Sequence, residues 1–193
     1  MARTKEFDPA AALQSALELF WERGYEATSM ADLVERLGVG RASLYATFGS
    51  KHDLYLAALD RYEELVGPRL LAELSQPGPA LPAVRALLRR FALEAVGEQR
   101  ERGCFVVNTA AELASHDSES ARRVLASWDQ LETLLASALT RARAQGELGA
   151  GKDPRALARL LLVLLQGVRV IGKATGDDGR VRDAIAQAES LLG

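Results

Sequence analysis

Side chains that can hydrogen-bond to phosphates and to base edges are concentrated between residues 28 and 51. Arg41 can donate two hydrogen bonds to a guanine edge or to a phosphate, and the hydroxyl of Tyr45 is long enough to reach a backbone phosphate. Ala42 can contact a thymine methyl group. This chemistry suits a surface for double-stranded DNA, with the candidate set Thr28, Ser29, Arg41, Ala42, Ser43, Tyr45, Thr47 and Lys51.

Two short helices must position these side chains. Residues Gly38 to Gly40 separate a helix that ends near Leu37 from a second helix over about 40–47. Glycine lets the backbone turn where a side chain would clash, so the pattern predicts the tight connection of a helix-turn-helix. In that motif the second helix enters the major groove of DNA. The residues that can form a small core between the two helices are Leu33, Val34, Leu37, Val39 and Leu44.

Further anion contacts are expected around this pair of helices. Thr28 and Ser29 place hydroxyls and free backbone amides at the start of the first helix, which favours a phosphate there. Lys51 brings a positive charge to the start of the long helix that follows. Arg3 and Lys5 lie on an N-terminal arm, from which we expect them to reach along the DNA backbone.

The charge balance alone does not indicate a nucleic-acid partner. The whole chain has a formal net charge of -2, and residues 1–52 carry six basic and seven acidic side chains. DNA binding therefore requires a local basic patch, with the acidic side chains on another face of the domain.

The rest of the chain reads as helix. Leucine and alanine dominate, β-branched residues are sparse, and no alternating strand pattern occurs, so the composition predicts an all-α fold. Proline and glycine mark two loops and a turn, at residues 75–82, 146–151 and 175–179. The later helices are predicted at about residues 83–98, 105–115, 118–145, 153–173 and from 180 onward.

The motif between residues 28 and 54 closely resembles the signature of the TetR/AcrR family of transcriptional regulators. The matching parts are Leu-Gly-Val at the turn and Leu-Tyr-x-x-Phe-x-Ser-Lys-x-x-Leu from Leu44 to Leu54, preceded by Phe20, Gly24 and Tyr25. Gly40, Ala46 and Thr47 depart from the usual residues, which alters the bases that can be read.

The resemblance implies an N-terminal three-helix helix-turn-helix DNA-binding domain over residues 1–52. It also implies a C-terminal helical ligand-binding and dimerisation domain over residues 53–193. The function implied is that of a homodimeric repressor, released from operator DNA by a small-molecule effector, with no cofactor.

In the resembling family, the region over residues 83–146 encloses the ligand. Asn108 and Glu112 are four residues apart, so they share one face of a helix. For most of the candidates, ordinary core packing is the stronger alternative. The candidate ligand-binding residues are Phe91, Cys104, Phe105, Asn108, Glu112 and Trp128.

The segment over residues 156–171 is apolar on nearly every side, which predicts burial against the chain's own core on one side and against a partner subunit on the other. In the resembling family, the last two helices form a four-helix bundle between subunits. An intrachain core is the alternative. The candidate dimerisation residues are Leu161, Leu164, Leu165, Val168, Ile185 and Leu192.

Cys104 carries a second hypothesis for the switch. It follows Gly103 at the expected start of a helix, near Arg100 and Arg102, and this setting favours the reactive thiolate. The stretch Gly-Cys-x-x-x-Asn-Thr-Ala also resembles a subgroup of the family in which some members sense electrophiles or oxidants through that cysteine. The alternatives are a repressor switched by modification of Cys104 and a cysteine that is only a small buried side chain.

Other classes of protein find little support. No nucleophile–base pair, metal-spaced cluster or phosphate loop occurs, so we expect neither an enzyme nor a metal site. A helical protein that binds another protein would not need Arg41, Tyr45 and Lys51 exposed. The longest apolar run, Leu160 to Leu165, is too short to span a bilayer, so we expect a cytoplasmic protein without a membrane partner.

Overall fold

The computed structural model describes residues 7–98, 100–175 and 178–193, and their regular structure is entirely helical. This confirms the predicted all-α fold. One 3₁₀ turn, Arg100–Arg102, occurs among the α-helices of the described residues. The helices are α1 (Pro9–Arg23), α2 (Met30–Leu37), α3 (Arg41–Phe48), α4 (Lys51–Leu74), α5 (Ala80–Val96), α6 (Phe105–Glu112), α7 (Ser118–Ala144), α8 (Pro154–Thr175) and α9 (Asp178–Leu191).

Local capping sets the starts of the N-terminal helices. The Asp8 carboxylate accepts a hydrogen bond from the amide of Ala10, ahead of a proline in the first turn of α1. Ser29 and Asp32 form a capping box at α2, in which each side chain accepts a hydrogen bond from the other residue's amide. Ser50 and Asp53 repeat the arrangement at α4.

Helix α5 starts earlier than the sequence predicts, because the backbone amides of its first turn, which have no acceptor within the helix, find one elsewhere in the chain. It begins at Ala80, inside the predicted loop, and runs through Pro82. Proline is tolerated in a first turn, where its missing N–H has no partner inside the helix. The Glu147 carboxylate accepts hydrogen bonds from the amides of Ala80 (3.1 Å) and Leu81 (2.7 Å).

Two hydrophobic clusters are joined by the long helix α4. The first cluster holds α1–α3 together and continues into α6, with Phe20, Leu33, Leu44, Tyr55 and Phe105 fully buried. The second is formed by α5, α7, α8 and α9. Val66 of α4 packs against both clusters. Helices α4 and α6 therefore connect the N-terminal three helices to the C-terminal ones.

Among the helices of the described residues, none is long and apolar enough to cross a membrane. Of the turn predicted at residues 175–179, positions 176 and 177 lie outside the described residues.

Candidate DNA-binding surface and ligand cavity

Helix α3 presents its polar side chains outward because one apolar residue anchors it. Leu44 is buried against the N-terminal cluster, and Gly38 ends α2 in the left-handed region at φ 64°. Arg41, Ala42 and Tyr45 are exposed on the outer face of α3. The guanidinium of Arg41 donates a hydrogen bond to the Tyr45 hydroxyl (3.3 Å), so the two side chains stand together on the surface.

The remaining α3 candidates flank this pair. Ser43 and Thr47 are half-buried at the sides of the helix. Their contact with DNA stays a prediction.

Arg41 differs from the other described arginines of this region in lacking an acidic partner. Arg23 pairs with Asp32 at 3.1 Å, and Arg36 lies 3.9 and 3.8 Å from Glu18 and Glu22. Within the described ranges, Arg41 forms no ion pair. Three acidic side chains of α1 and α2, Glu18, Glu22 and Asp32, are thus engaged with arginines other than Arg41.

The structure corrects the prediction for Thr28. Its side chain is fully buried and its hydroxyl donates to the carbonyl of Gly24 (2.7 Å), so it packs inside the domain and offers nothing to a phosphate. Ser29 is exposed, but its hydroxyl is engaged with Asp32, and this hydrogen bond lowers the pKa of the Asp32 carboxyl. A phosphate contact by Ser29 has to compete with that carboxylate.

Lys51 is half-buried, with its ammonium 4.1 Å from the centre of the Tyr25 ring. This cation–π contact fixes the amine near the start of α4. Its contact with a phosphate remains a prediction. The predicted arm residues Arg3 and Lys5 lie outside the described residues.

A cavity of about 520 Å³ lies between the N-terminal helices and the C-terminal ones. Its wall combines an apolar side with a cluster of arginines. The lining residues are Trp21, Tyr62, Leu65, Val66, Arg69, Arg90, Glu94, Ala95, Gly97, Glu98, Arg100, Arg102, Gly103 and Arg169.

None of the six predicted ligand-binding residues lines this cavity, so that prediction is wrong for the larger space. Phe105 is fully buried in the core. Phe91, Cys104 and Trp128 border only a void of about 20 Å³, on the far side of Tyr62 and Arg169. The physical reason is that apolar residues at helical spacing are drawn into the core first.

Asn108 and Glu112 have structural partners. The amide of Asn108 donates to the carbonyl of Arg102 (2.8 Å), which holds the segment that borders the cavity. Glu112 accepts hydrogen bonds from the backbone amides of Tyr25 (3.0 Å) and Glu26 (2.7 Å). Glu112 therefore ties the end of α6 to the turn between α1 and α2.

Two further contacts tie α1 to the 97–103 segment at the cavity. The Trp21 indole N–H donates to the carbonyl of Gly103 (3.1 Å), and Arg102 forms an ion pair with Glu22. Since Trp21, Arg102 and Gly103 all line the cavity, an occupant would touch the junction between the N-terminal helices and the rest of the chain.

A second junction joins the start of α4 to the N-cap of α7. His52 Nε2 lies 2.7 Å from Asp117 Oδ2. Burial opposes ionisation of Asp117, but hydrogen bonds from Ser120 and His52 outweigh it and lower the pKa to about 2.

Cys104 is the N-cap residue of α6, as the sequence predicts, and is 3 % exposed. Its cationic neighbour is neither of the expected arginines. Arg169 of α8 donates a hydrogen bond to Sγ (2.7 Å), and the Tyr62 hydroxyl lies 3.6 Å from the same atom. Burial raises the pKa of Tyr62.

The predicted dimerisation residues lie mostly inside the chain's own core. Leu161, Leu165, Val168, Ile185 and Leu192 are buried there, and only Leu164 is half-buried. Those five residues face other helices of their own chain and are not available to a partner subunit, whereas the assignment of Leu164 to an interface stays a prediction.

The opposite side of α8 is the one that meets solvent. Val163 is 70 % exposed, and Leu160, Val170 and Ile171 are exposed on the same helix, as is Leu191 of α9. We call the α8 residues Leu160, Val163, Val170 and Ile171 the outer α8 face.

A short exposed helix that follows a left-handed glycine turn, with arginine and tyrosine on its outer face, is the arrangement of a DNA-binding helix-turn-helix. Two family descriptions match the chain: "Bacterial regulatory proteins, tetR family" over residues 12–58, and "Tetracyclin repressor-like, C-terminal domain" over residues 80–188. The chain belongs to the TetR family, as its sequence motif predicts.

Individual relatives agree. The chain is 38% identical over 193 residues, 100% of both chains, to the uncharacterized HTH-type transcriptional regulator YezE of Bacillus subtilis (strain 168). It is 34% identical over 171 residues to the HTH-type transcriptional repressor ComR of Escherichia coli (strain K12), covering 87% of this chain and 80% of ComR. These relatives are transcriptional regulators, a class without enzymatic activity.

A solved structure shows the fold on DNA. A cysteine mutant of the TetR family regulator CifR, complexed with 26-bp double-strand operator DNA, superposes with a TM-score of 0.84 at 31% identity over 100% of both chains.

Proposed function

We propose that this chain is a cytoplasmic homodimeric repressor that binds double-stranded operator DNA and is released by a small-molecule effector. We call residues 1–52 the head and residues 53–193 the body. The observation that carries the proposal is that one cavity is lined both by Trp21 of the head and by α4, α5 and α8 of the body.

In the head, Arg41, Ala42 and Tyr45 read the operator. They are exposed together on α3, and a guanidinium without a carboxylate partner is free to bind a base edge or a phosphate. Ser43 and Thr47 contact the walls of the groove, and Ser29 and Lys51 contact phosphates beside it.

Two heads are needed because one short helix reads too few base pairs for useful affinity. Dimeric helix-turn-helix proteins solve this by reading two half-sites about one DNA turn apart. The outer α8 face supports such an assembly, since contiguous exposed apolar side chains mark interaction surfaces. A second copy of α8, packed against the first, covers Val163 and its neighbours.

Release follows from the position of the cavity. An effector that displaces the Trp21–Gly103 hydrogen bond shifts α1 relative to the body, and the separation of the two α3 helices changes with it. This coupling requires that the effector bind the released state more tightly than the DNA-bound state.

The test of the proposal is selection of bound sequences from a random pool of duplex DNA by the full chain. We expect enrichment of a two-fold-symmetric site, which reports DNA binding and dimerisation together. The Arg122→Ala variant is the control and should enrich the same site, because Arg122 is an exposed arginine of α7, far from α3 in sequence. No enrichment, or enrichment of a single asymmetric half-site, contradicts the proposal.

A second candidate switch is modification of Cys104, favoured by the Arg169 guanidinium 2.7 Å from Sγ, which stabilises a thiolate. Addition of Sγ to an electrophilic alkene forms an S–C bond, and the thiol proton ends on the neighbouring carbon. N-ethylmaleimide should then weaken operator binding by the native protein and not by Cys104→Ser. Equal sensitivity of both proteins, or none, counts against this switch.

A further inference from the structure

We infer that the cavity takes a small amphipathic oxyanion, with its acidic headgroup on Arg169 and Arg100 and its apolar part against Trp21, Leu65 and Val66. The inference deepens the proposed function, since it names the chemical class of the effector and relies on the same cavity. The evidence for it is that two arginines of the cavity wall, Arg169 and Arg100, lack a close carboxylate partner.

Arg169 is a mostly buried cation whose neighbours Cys104, Tyr62 and Glu94 hold its pKa above the ordinary value against the effect of burial. Its side chain is 15 % exposed, and in the described part of the chain its one acidic partner is Glu94 at 3.9 Å. The guanidinium lies on the Phe91 ring at 4.0 Å and donates to Cys104 Sγ. Arginine cannot relieve its burial by losing a proton, so an unmatched guanidinium is costly until an anion joins it.

Three other arginines of the wall are already paired. Arg90 and Arg69 both bind Glu73, each with a shortest N–O distance of 2.9 Å. Arg102 pairs with Glu22 and lies over the Trp21 ring at 5.5 Å. These pairs hold the wall in place and offer little to a ligand.

Arg100 is the second cation open to a ligand. Its side chain is half-buried at the cavity and forms no ion pair with any described residue. Five arginines line the cavity against two glutamates, Glu94 and Glu98. With Glu73, Glu22 and Glu63 counted from just outside the wall, the formal charges balance at five each. The case for an anion therefore rests on Arg100, which has no ion pair with a described residue, and on Arg169, whose ion pair with Glu94 is long.

The apolar side of the cavity wall favours a ligand that also carries an apolar group. Trp21, Leu65 and Val66 face the same space, and Leu65 is left half exposed. The volume of about 520 Å³ lies within the range of small-molecule sites. An inorganic ion would leave these apolar side chains wet, whereas an amphipathic anion covers them and neutralises Arg169 together.

The test uses 1-anilinonaphthalene-8-sulfonate as a fluorescent probe of the full-length protein, displaced by octanoate, by its uncharged analogue octanamide, and by acetate. We expect octanoate to compete about tenfold better than octanamide, because it gains a charge-assisted hydrogen bond. Acetate lacks the apolar part and should compete poorly. Equal competition by octanoate and octanamide overturns the inference.

Substitutions locate the headgroup. Arg169→Met should abolish the preference for octanoate over octanamide, and Arg100→Gln should reduce it several-fold. Because Arg100 lies on the 3₁₀ turn and forms no ion pair with a described residue, its variant keeps the test valid if Arg169→Met does not fold. Arg122→Gln, on the surface of α7, is the control and should leave the preference unchanged. Retention of the full preference in both cavity variants overturns the inference.

Operator binding measured on the same samples separates this inference from the proposed function. If octanoate binds selectively but leaves operator affinity unchanged, effector release is wrong while the anion site stands. If the protein binds a symmetric operator but its cavity prefers octanamide, the anion inference alone fails.

Discussion

Arg41 on α3 and Arg169 on α8 are both guanidiniums without a close carboxylate, but they differ in their access to solvent. Arg41 stands on the surface beside Tyr45, where water compensates its charge until a partner arrives. Arg169 is mostly buried against Phe91 and Cys104, and water reaches it only from the cavity that it lines. An exposed cation suits a large polyanion that approaches from outside. A buried cation suits a small anion that fits within the wall.

The two regions also differ in how their residues come together. The exposed residues of α3, Arg41, Ala42 and Tyr45, lie within about one and a half helical turns of one another along the chain. The cavity wall draws residues from α1, α4, α5, the 97–103 segment and α8. Local structure can build the first kind of site, whereas the second exists only after the helices have packed.

Among the substitutions, Arg41→Ala should have the largest effect, because it should weaken operator binding and leave the cavity unchanged. Each bidentate base contact is worth roughly 1–3 kcal/mol, and a dimer loses two of them, so we expect operator affinity to fall by at least about thirtyfold. Binding of 1-anilinonaphthalene-8-sulfonate in the cavity should not change. Operator titration with Arg122→Ala as control measures this. Unchanged operator affinity would remove Arg41 from the DNA surface.

Val163→Glu tests whether two heads are needed. A carboxylate buried without a partner in an interface costs roughly 3 kcal/mol or more, so the dimer should dissociate and operator affinity should fall with it. Sedimentation velocity measures the change. Leu125→Glu, at another exposed apolar position, on α7, should remain dimeric. A monomeric native protein, or a dimeric Val163→Glu variant, would contradict the proposed interface.

Gly172→Ala should perturb the body alone. A Cβ atom at Gly172 would stand 2.2 Å from the carbonyl oxygen of Ala95, so α8 and α5 must separate beside the cavity. Overpacking of this kind costs about 1–3 kcal/mol of unfolding free energy. Urea denaturation measures the loss, with Gly151→Ala as control because its Cβ meets open space. Equal stability of the two variants would show that the helices yield without cost.

The smallest effect concerns the junction at Asp117. Its pKa of about 2 lies below the ordinary value of 3.8, so its contacts stabilise the fold above pH 4. That contribution, on the order of 1–2 kcal/mol, should be lost as the pH falls from about 4 to 2. Asp117→Asn should flatten the pH dependence of the unfolding free energy in this window. Asp129→Asn, an exposed site on the same helix, should not.

Much of the head could be predicted from sequence because its determinants are local. Asp8, Ser29 and Ser50 cap the helices that follow them, and Gly38 supplies the left-handed turn. Thr28 is the exception, since nothing in its neighbourhood along the chain shows that its hydroxyl turns inward to Gly24.

The body was harder to predict, because its helices are apolar on more than one side. The pattern of α8 indicates burial on two sides but does not say which side meets the chain's own core. As a result Leu161 and Leu165 are core residues, while Leu160 and Val163 face outward. Arginines that meet at the cavity, such as Arg69 and Arg169, are a hundred residues apart, so no local signal joins them.

The sequence by itself determined the helical class, the helix-turn-helix and the family, since capping, turn and helical spacing act over a few residues. Only the tertiary structure decided that Glu112 holds the turn after α1, that Arg169 donates to Cys104, and which face of α8 is exposed to solvent. These features depend on how helices distant in sequence pack, and packing is set by the fit of many side chains at once.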